Sequence, residues 1–372
     1  RLLRVQRDGE WQSTSYREMG ESIRRLARAM LANDVHAGDR IGFFSRNRPE
    51  WTLVDFATSS IGAVSVPIYA TNTTEQVAYI VDETEMALIF VGDQEHYDKV
   101  HALLGKSPSI ETIVIFNEKT EINDGSSMLF SQYMAQGDDT SLNAEIEDRL
   151  DASTPDDLMT IIYTSGTTGE PKGVMLTHTN LFHQFPALEE QFDVTLDDRS
   201  LCFLPLSHVY ERAWTYYIFT RGAENNYLVN PRAIIKALSE IQPSVMVSVP
   251  RLYEKIYAAA HHGLVSGSAL KKRLFHWSLD VGSRYQYALK DDGSAGMILS
   301  IQHSIVDRLV LSKIRAVVGG PKNFFSAGGA PLSQAIEEFF FAAGLLVCEG
   351  YGLTETSPMV TFNTPKAFKF GT

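Results

Sequence analysis

Apolar residues recur along this chain in two rhythms, one of helical spacing and one of short unbroken runs. Ser15 with Glu18 three residues on forms a capping box. Met19, Ile23, Leu26, Ala27, Met30 and Leu31 follow at helical spacing, so 16–32 is predicted to be an amphipathic helix. Gly38 and Asp39 end that unit, and 40–44 reads as a strand. Pro49 opens a helix running to about Gly62, and 64–69 is the next strand. Thr73 with Gln76 caps a helix over 74–84. Strand 87–91, helix 95–105 and strand 112–116 continue the alternation. Residues 117–157 are acidic and polar and predict a surface excursion or a helical insertion. Beyond them come strand 159–164, strand 200–204, a helix around 209–220, strand 226–229, helix 231–241 and strand 244–249. A helical stretch with a polar break covers 251–318, before strand 323–326, helix 333–343 and strand 345–348. Strands alternating with helices imply an α/β protein with parallel sheets covered on both faces, and the number of strands fits two sheets better than one. No internal repeat, low-complexity tract or sustained heptad interrupts the pattern.

Composition narrows the functions open to this pattern. A length of 372 residues suits two to three domains, or one large α/β body with subdomains, and 44% hydrophobic residues supply a sizeable core. The formal charge of −12 argues against a nucleic-acid surface, which needs a basic stripe, yet a few local cations can still hold an anionic ligand. Cys202 and Cys348 both lie in apolar segments, which suits buried free thiols in a reducing, cytoplasmic setting, and neither has the paired spacing of a zinc site. No apolar run reaches membrane-span length and no signal peptide is visible. The chain starts at Arg1, in mid-pattern, so its first residue is not expected to be that of the gene.

The most specific chemistry sits in Tyr163-Thr-Ser-Gly-Thr-Thr-Gly-Glu-Pro-Lys-Gly173. Thr164, Ser165, Thr167 and Thr168, with three glycines and Lys172, lie between the apolar runs 158–163 and 174–176. Glycine lets backbone approach a ligand closely, and hydroxyls, backbone N–H groups and a lysine all suit phosphate oxygens. A strand entering such a loop reads as a polyphosphate cradle, with a simple Gly/Thr hairpin turn as the plainer alternative. The spacing is not that of the common NTPase loop, because Pro171 stands where that motif needs glycine.

Three further segments each follow a predicted strand, where functional loops of parallel sheets lie. In Leu204-Pro-Leu-Ser-His-Val-Tyr-Glu211, His208 is open to two readings, a ligand-orienting group or a packed structural histidine. Ser326-Ala-Gly-Gly-Ala-Pro-Leu332 either leaves room for a flat group or is an ordinary strand-to-helix turn with Pro331 in the first helical turn. In Glu349-Gly-Tyr-Gly-Leu-Thr-Glu-Thr-Ser357, Tyr351 offers an aromatic face, Thr354 a hydroxyl and Glu355 a carboxylate for a hard cation such as Mg²⁺. A polar turn with a cleft-filling tyrosine is the alternative.

In this order the four segments resemble the adenylate-forming superfamily of acyl-CoA and aryl-CoA synthetases, peptide-synthetase adenylation domains and beetle luciferases. The resemblance runs from about Tyr16 onward. The His-Val-Tyr-Glu-Arg run ending at Arg212 and the Phe275-His-Trp-Ser-Leu279 segment look most like long-chain fatty-acid CoA ligases. The resemblance implies two α/β subdomains packed together, about 39–188 and 1–38 plus 189–350, with 351–372 opening a third. It implies an acid–thiol ligase that takes a fatty acid, ATP (giving AMP), Mg²⁺ and CoA, and is compatible with peripheral membrane association.

Residue roles follow from the same resemblance. Thr164, Ser165, Gly166, Thr167, Thr168, Gly169 and Lys172 would wrap the β- and γ-phosphates of ATP. Gly328, Gly329 and Ala330 would line the adenine and the start of the acyl pocket. Tyr351, flanked by Glu349, Gly350 and Gly352, would stack on adenine. Thr354 would touch the α-phosphate, Glu355 would hold Mg²⁺, and His208 would sit beside the acyl carboxylate. Trp214, six residues after His208, is given no role, although a tryptophan gates the fatty-acid tunnel in some relatives. The family's ribose-binding aspartate, its β-barrel and a C-terminal lid domain with an adenylation lysine are expected beyond Thr372, so these residues alone are expected to be inactive. Two rivals stay open: an adenylating enzyme with another carboxylate or acceptor, and a non-catalytic nucleotide-binding module.

Overall fold

The computed structural model describes residues 2–7, 10–164, 170–265, 268–320 and 324–371. The chain divides into two compact units, Arg1–Gln184 with Phe203–Tyr216, and Phe185–Cys202 with Tyr217–Thr372. Each is a mixed α/β structure whose sheet is dominated by parallel pairs.

In the first unit, β1 (Leu3–Arg7) and β2 (Glu10–Thr14) form an antiparallel hairpin. The sheet is built from β3 (Arg40–Phe44), β4 (Val64–Ile68), β5 (Leu88–Val91), β6 (Thr112–Ile115), β7 (Ser127–Leu129), β8 (Leu158–Thr164) and β9 (Lys172–Thr177), in the order β7-β6-β5-β3-β4-β8-β9. All neighbours are parallel except β8 and β9. Every residue of β4 and β5 is buried, as expected of central strands covered on both faces. The helix Tyr16–Ala32 starts at the expected capping box: Ser15 N–H donates to Glu18 Oε2 (2.7 Å) and Glu18 N–H to Ser15 Oγ (3.2 Å). Thr73 and Gln76 cap Thr74–Thr84 in the same way. The acidic stretch contains two helices, Phe130–Ala135 and Asn143–Ala152, and the strand β7. At three half-buried residues, β7 is too short to show an alternation.

In the second unit, β10 (Arg199–Cys202), β11 (Glu224–Tyr227), β12 (Val245–Met246), β13 (Phe324–Ala327), β14 (Val347–Gly352) and β15 (Met359–Phe362) lie in the order β15-β14-β13-β12-β10-β11. The pairs are parallel from β11 to β14, and β15 runs antiparallel to β14. The predicted helical stretch resolves into Pro250–Val265, Ala269–Asp292, Met297–Val306, a π-helical turn Asp307–Leu311, and Ser312–Val317. Cys202 and Cys348 are buried and free, and burial pushes the Cys348 thiol up to about 12.

The pattern reading needs three corrections. The sheets are not parallel throughout, because β9 and β15 are antiparallel edge strands. The β1–β2 hairpin was not expected. Strand β14 does not end at Cys348 but runs to Gly352, so Glu349, Gly350, Tyr351 and Gly352 belong to the strand rather than to a loop after it. Two glycines lower the strand signal there, although both are needed for the pairing with β15.

Candidate functional site

In the first unit the hydroxyl-rich segment is flanked by two antiparallel strands. Thr164 stands opposite Lys172 and Tyr163 opposite Gly173 in the antiparallel β8–β9 ladder. Ser165, Gly166, Thr167, Thr168 and Gly169 lie outside the described residues. Lys172 is exposed at the start of β9. A side chain at Gly173 would bring its Cβ within 2.8 Å of Ile161 Cγ2 and 3.2 Å of Tyr163 Cζ, so glycine there lets Tyr163 lie across the ladder. Tyr163 is buried in the apolar core of the unit, edge-on to Tyr79 at 6.4 Å. Burial, with Glu83 beside it, pushes its phenol well above the usual tyrosine range.

His208 caps the helix Val209–Thr220. Its Nδ1 accepts the Tyr210 N–H at 3.2 Å, which leaves any ring proton on Nε2. Burial lowers its pKa below the ordinary 6.5, so the ring is neutral at pH 7. One turn later Arg212 is fully buried. It donates to both Asp55 oxygens (Nε to Oδ2 2.9 Å, Nη2 to Oδ1 2.5 Å), to Ser65 Oγ (2.6 Å) and to Thr160 Oγ1 (2.6 Å). The Tyr216 hydroxyl bonds Asp55 as well, and the guanidinium lies 5.5 Å from the centre of the Trp51 ring. Burial by itself would lower the Arg212 pKa, but the charge of Asp55 outweighs it and holds it above the usual value. The cluster joins helices Pro49–Ser60 and Val209–Thr220 to β4 and β8, four residues before Thr164.

In the second unit a cavity of about 710 Å³ opens between the loop after β13 and the β14–β15 pair. Gly329, Ala330, Glu349, Gly350, Tyr351 and Gly352 line it together. The Tyr351 ring is 60% exposed, an open aromatic face. Gly329 has φ +81°, a conformation that L side chains rarely adopt, although a Cβ there would meet only Val249 Cγ1 at 3.9 Å. Glu349 Oε1 accepts the Leu332 N–H at 3.0 Å and so ties the glycine loop to β14. Gly350 and Gly352 serve the strand pairing. A Cβ on Gly350 would lie 2.3 Å from Phe362 Cδ2, and one on Gly352 would lie 1.7 Å from the Pro358 carbonyl oxygen.

Gly328, Thr354 and Glu355 are not among the lining residues. Gly328 is buried and its N–H donates to the Ser248 carbonyl at 3.0 Å. Thr354 is buried at the start of a 3₁₀ turn, Thr354–Thr356, which Thr356 Oγ1 closes by accepting the Leu353 N–H at 2.9 Å. Glu355 points an exposed carboxylate from that turn. Among the described residues no three His, Cys, Asp or Glu side chains gather as a metal site. One exposed carboxylate nevertheless fits Mg²⁺, which takes one or two carboxylates and completes its shell with substrate phosphates and water.

A family profile described as AMP-binding enzyme matches residues 3–371. The chain belongs to that family. It is 35% identical over 367 residues to the long-chain-fatty-acid–CoA ligase FadD15 of Mycobacterium bovis, covering 98% of this chain and 60% of that protein. It is 33% identical over 359 residues to the peroxisomal long chain acyl-CoA synthetase 6 of Arabidopsis thaliana, covering 95% of this chain and 49% of that one. Its fold matches the adenylation–carrier didomain of carboxylic acid reductase from Segniliparus rugosus, solved in complex with AMP. That match has a TM-score of 0.70 at 23% identity and covers 95% of this chain and 48% of that one. The chain thus spans about half to three-fifths of the length of these relatives.

Two parts of the chain escaped the reading of its motifs. Thr361, Phe362, Asn363 and Gly371 also line the cavity, as does Leu332 at the end of the glycine segment already singled out. The signal for Thr361 and Phe362 was the short β-prone run after Pro358. The Arg212 cluster had a signal too: Arg212 is the one cation of helix Val209–Thr220, and Asp55 is the one charge of helix Pro49–Ser60 beyond its first turn.

Proposed function

We propose that the protein activates a long-chain fatty acid with ATP and passes the acyl group to CoA. The reading rests above all on Tyr163–Gly173, a glycine- and hydroxyl-rich segment flanked by antiparallel strands, with Lys172 opening the second. The family membership and the names of the ligases it resembles support it, as does a cavity that offers a flat ring the Tyr351 face and the backbone of Gly329.

In the first step a carboxylate oxygen attacks the α-phosphorus of ATP, and pyrophosphate leaves. In the second the CoA thiol attacks the acyl carbon, the thiol proton is lost, and AMP departs. Carboxylates are poor electrophiles, and adenylation replaces the carboxylate oxide by a good leaving group. The protein's task is then positioning and electrostatic stabilisation. We assign Lys172, with Thr164 and the hydroxyls and backbone N–H groups of residues 165–169, to the β- and γ-phosphates, and Thr354 to the α-phosphate. His208, held neutral, is assigned to the acyl carboxylate, which a neutral Nε2–H can approach without titrating. Mg²⁺, when bound at Glu355, would neutralise phosphate charge.

The test is to follow AMP and thioester formation by the complete gene product with palmitate, ATP and Mg²⁺, with and without CoA. Palmitate- and CoA-dependent thioester supports the reading. AMP release with no CoA dependence moves the acceptor to a carrier protein or another nucleophile. No AMP or pyrophosphate with any fatty acid overturns it.

A further inference from the structure

The ligase reading gives work to His208 and to the strand that ends at Thr164, but none to the buried polar groups that join them. All of these groups belong to the first unit. Strands β4 and β8 meet at Ser65 and Thr160. The Ser65 hydroxyl donates to the Met159 carbonyl at 3.2 Å, and the Thr160 hydroxyl to the Ser65 carbonyl at 2.8 Å. The same two hydroxyls accept from the Arg212 guanidinium, which Asp55 holds from the other side. One planar cation therefore fixes the strand pair from the helix that His208 caps. The loop before His208 is fixed as well. Asn47 Nδ2 donates to the Leu204 carbonyl at 2.6 Å, and Asn47 Oδ1 accepts the Leu206 N–H at 2.9 Å. Glu211 Oε2 accepts the Leu204 N–H at 3.0 Å. Asn47, Glu211, Arg212, Ser65 and Thr160 are all buried.

Stability by itself does not account for this arrangement. A buried ion pair exchanged as a whole for apolar groups of similar volume is often neutral or stabilising. What apolar side chains do not supply is register. The guanidinium fork presents its donors in one plane at fixed angles, so its bonds to Asp55, Ser65 and Thr160 are all made at one placement of helix Val209–Thr220 against β4 and β8. Asn47 acts likewise, because an amide that donates to Leu204 and accepts from Leu206 fits one placement of the loop. His208 lies between these two anchors, after Leu206 and one helical turn before Arg212. Thr160 lies one step short of the end of β8, on the same strand as Thr164. In the proposed first step the carboxylate assigned to His208 must meet a triphosphate whose outer groups are assigned to Thr164 and Lys172. A misplacement of about 1 Å costs about a hundredfold in such a reaction.

We propose that Arg212 and Asn47 are positioning residues of the ligase, which hold His208 in register with the strand that ends at Thr164. The inference rests on the proposed function, and the experiment separates the two. Pyrophosphate release from ATP, Mg²⁺ and palmitate is followed in the complete gene product and in four variants, each with its thermal unfolding. The variants are Thr160→Val, Thr160→Ser, Asn47→Ala, and Arg212→Met paired with Asp55→Leu. Thr160→Val keeps the shape and removes one bond to Arg212. It should lower kcat by about ten- to a hundredfold and leave KM for ATP within about twofold. Thr160→Ser keeps the hydroxyl and should restore kcat. Asn47→Ala should lower kcat in the same way as Thr160→Val. The paired variant should regain thermal stability while its kcat stays low, a separation that a purely structural cluster would not give. Thr160→Val leaves both charges in place and decides the matter even where the paired variant unfolds. The proposal alone is overturned if the parent is active and Thr160→Val and Asn47→Ala match it. Losses that only follow the folded fraction overturn it too, as does a stable paired variant with the parent's kcat. No pyrophosphate from the parent with any fatty acid overturns the proposed function, and this inference with it.

Discussion

Replacing Arg212 by Met should be among the most damaging single changes in the first unit, although Arg212 touches none of the residues assigned to substrate. The guanidinium makes two bonds to Asp55 and one each to Ser65, Thr160 and the Tyr216 hydroxyl, all inside the core. Methionine fills much of the same volume, so the loss is one of charge and hydrogen bonds rather than of packing. Asp55, itself fully buried, keeps only the Tyr216 hydroxyl from this cluster. Breaking a buried ion pair from one side costs about 3–5 kcal/mol. In a cooperative unit of about 200 residues, this lowers Tm by about 6–20 °C at 2–4 °C per kcal/mol. Removing both charges should cost much less, because a buried pair replaced by apolar groups of similar volume is often neutral. The assay is urea and thermal unfolding of Arg212→Met, Asp55→Leu and the double variant, read as a double-mutant cycle. Strongly positive recovery in the double is expected. A single Arg212→Met within about 1 kcal/mol of the parent, or a double as poor as the two singles added, would refute the reasoning.

Lys172→Ala in the complete protein should raise the ATP requirement and slow pyrophosphate release, and an unchanged rate removes Lys172 from the phosphate site. Glu355→Gln should raise the apparent Mg²⁺ requirement and lower the rate by about 10²–10³; an identical Mg²⁺ titration makes Glu355 a surface residue. Gly352→Ala should destabilise the second unit by about 1–3 kcal/mol or more, since its Cβ would meet backbone at 1.7 Å, which chemical denaturation of the variant measures. Buried Glu337 has a raised pKa, chiefly from burial, so the folded state binds its proton more tightly than the unfolded one. Its contribution to stability is therefore greatest at low pH and falls as pH rises above the ordinary 4.5. Glu337→Gln should flatten that part of the stability–pH curve, and identical curves for parent and variant count against it.

Most of the fold was legible because it rests on local rules. Capping boxes at Ser15 and Thr73 announce helices with side chains three residues apart, the buried strand at 88–91 announces itself as an unbroken apolar run, and those at 40–44 and 64–68 as mostly apolar ones. The phosphate-type loop was legible for a related reason: four hydroxyls, three glycines and a lysine in eleven residues have few other uses. The sequence could also say that His208 stood at a strand-to-helix junction, but not which of its two roles its ring would take.

Tertiary structure decided what depends on partners far apart in the chain. That β9 and β15 run antiparallel follows from which strand edge each meets, and edge strands of six and four residues carry no directional signal. Gly350 and Gly352 entered from the sequence only as neighbours of Tyr351 at the expected adenine site. The fold shows the space where their side chains would lie taken by Phe362 and Pro358, ten and more or six residues onward. Arg212 and Asp55, 157 positions apart, are merely one of two charges each in two largely apolar helices until packing puts them 2.5 Å from each other. Sequence determined the elements and the chemistry available at each loop because those depend on neighbours within a few residues. Only packing determined which glycine serves a strand and which charge is neutralised inside the core, because each depends on what the rest of the chain brings to that place.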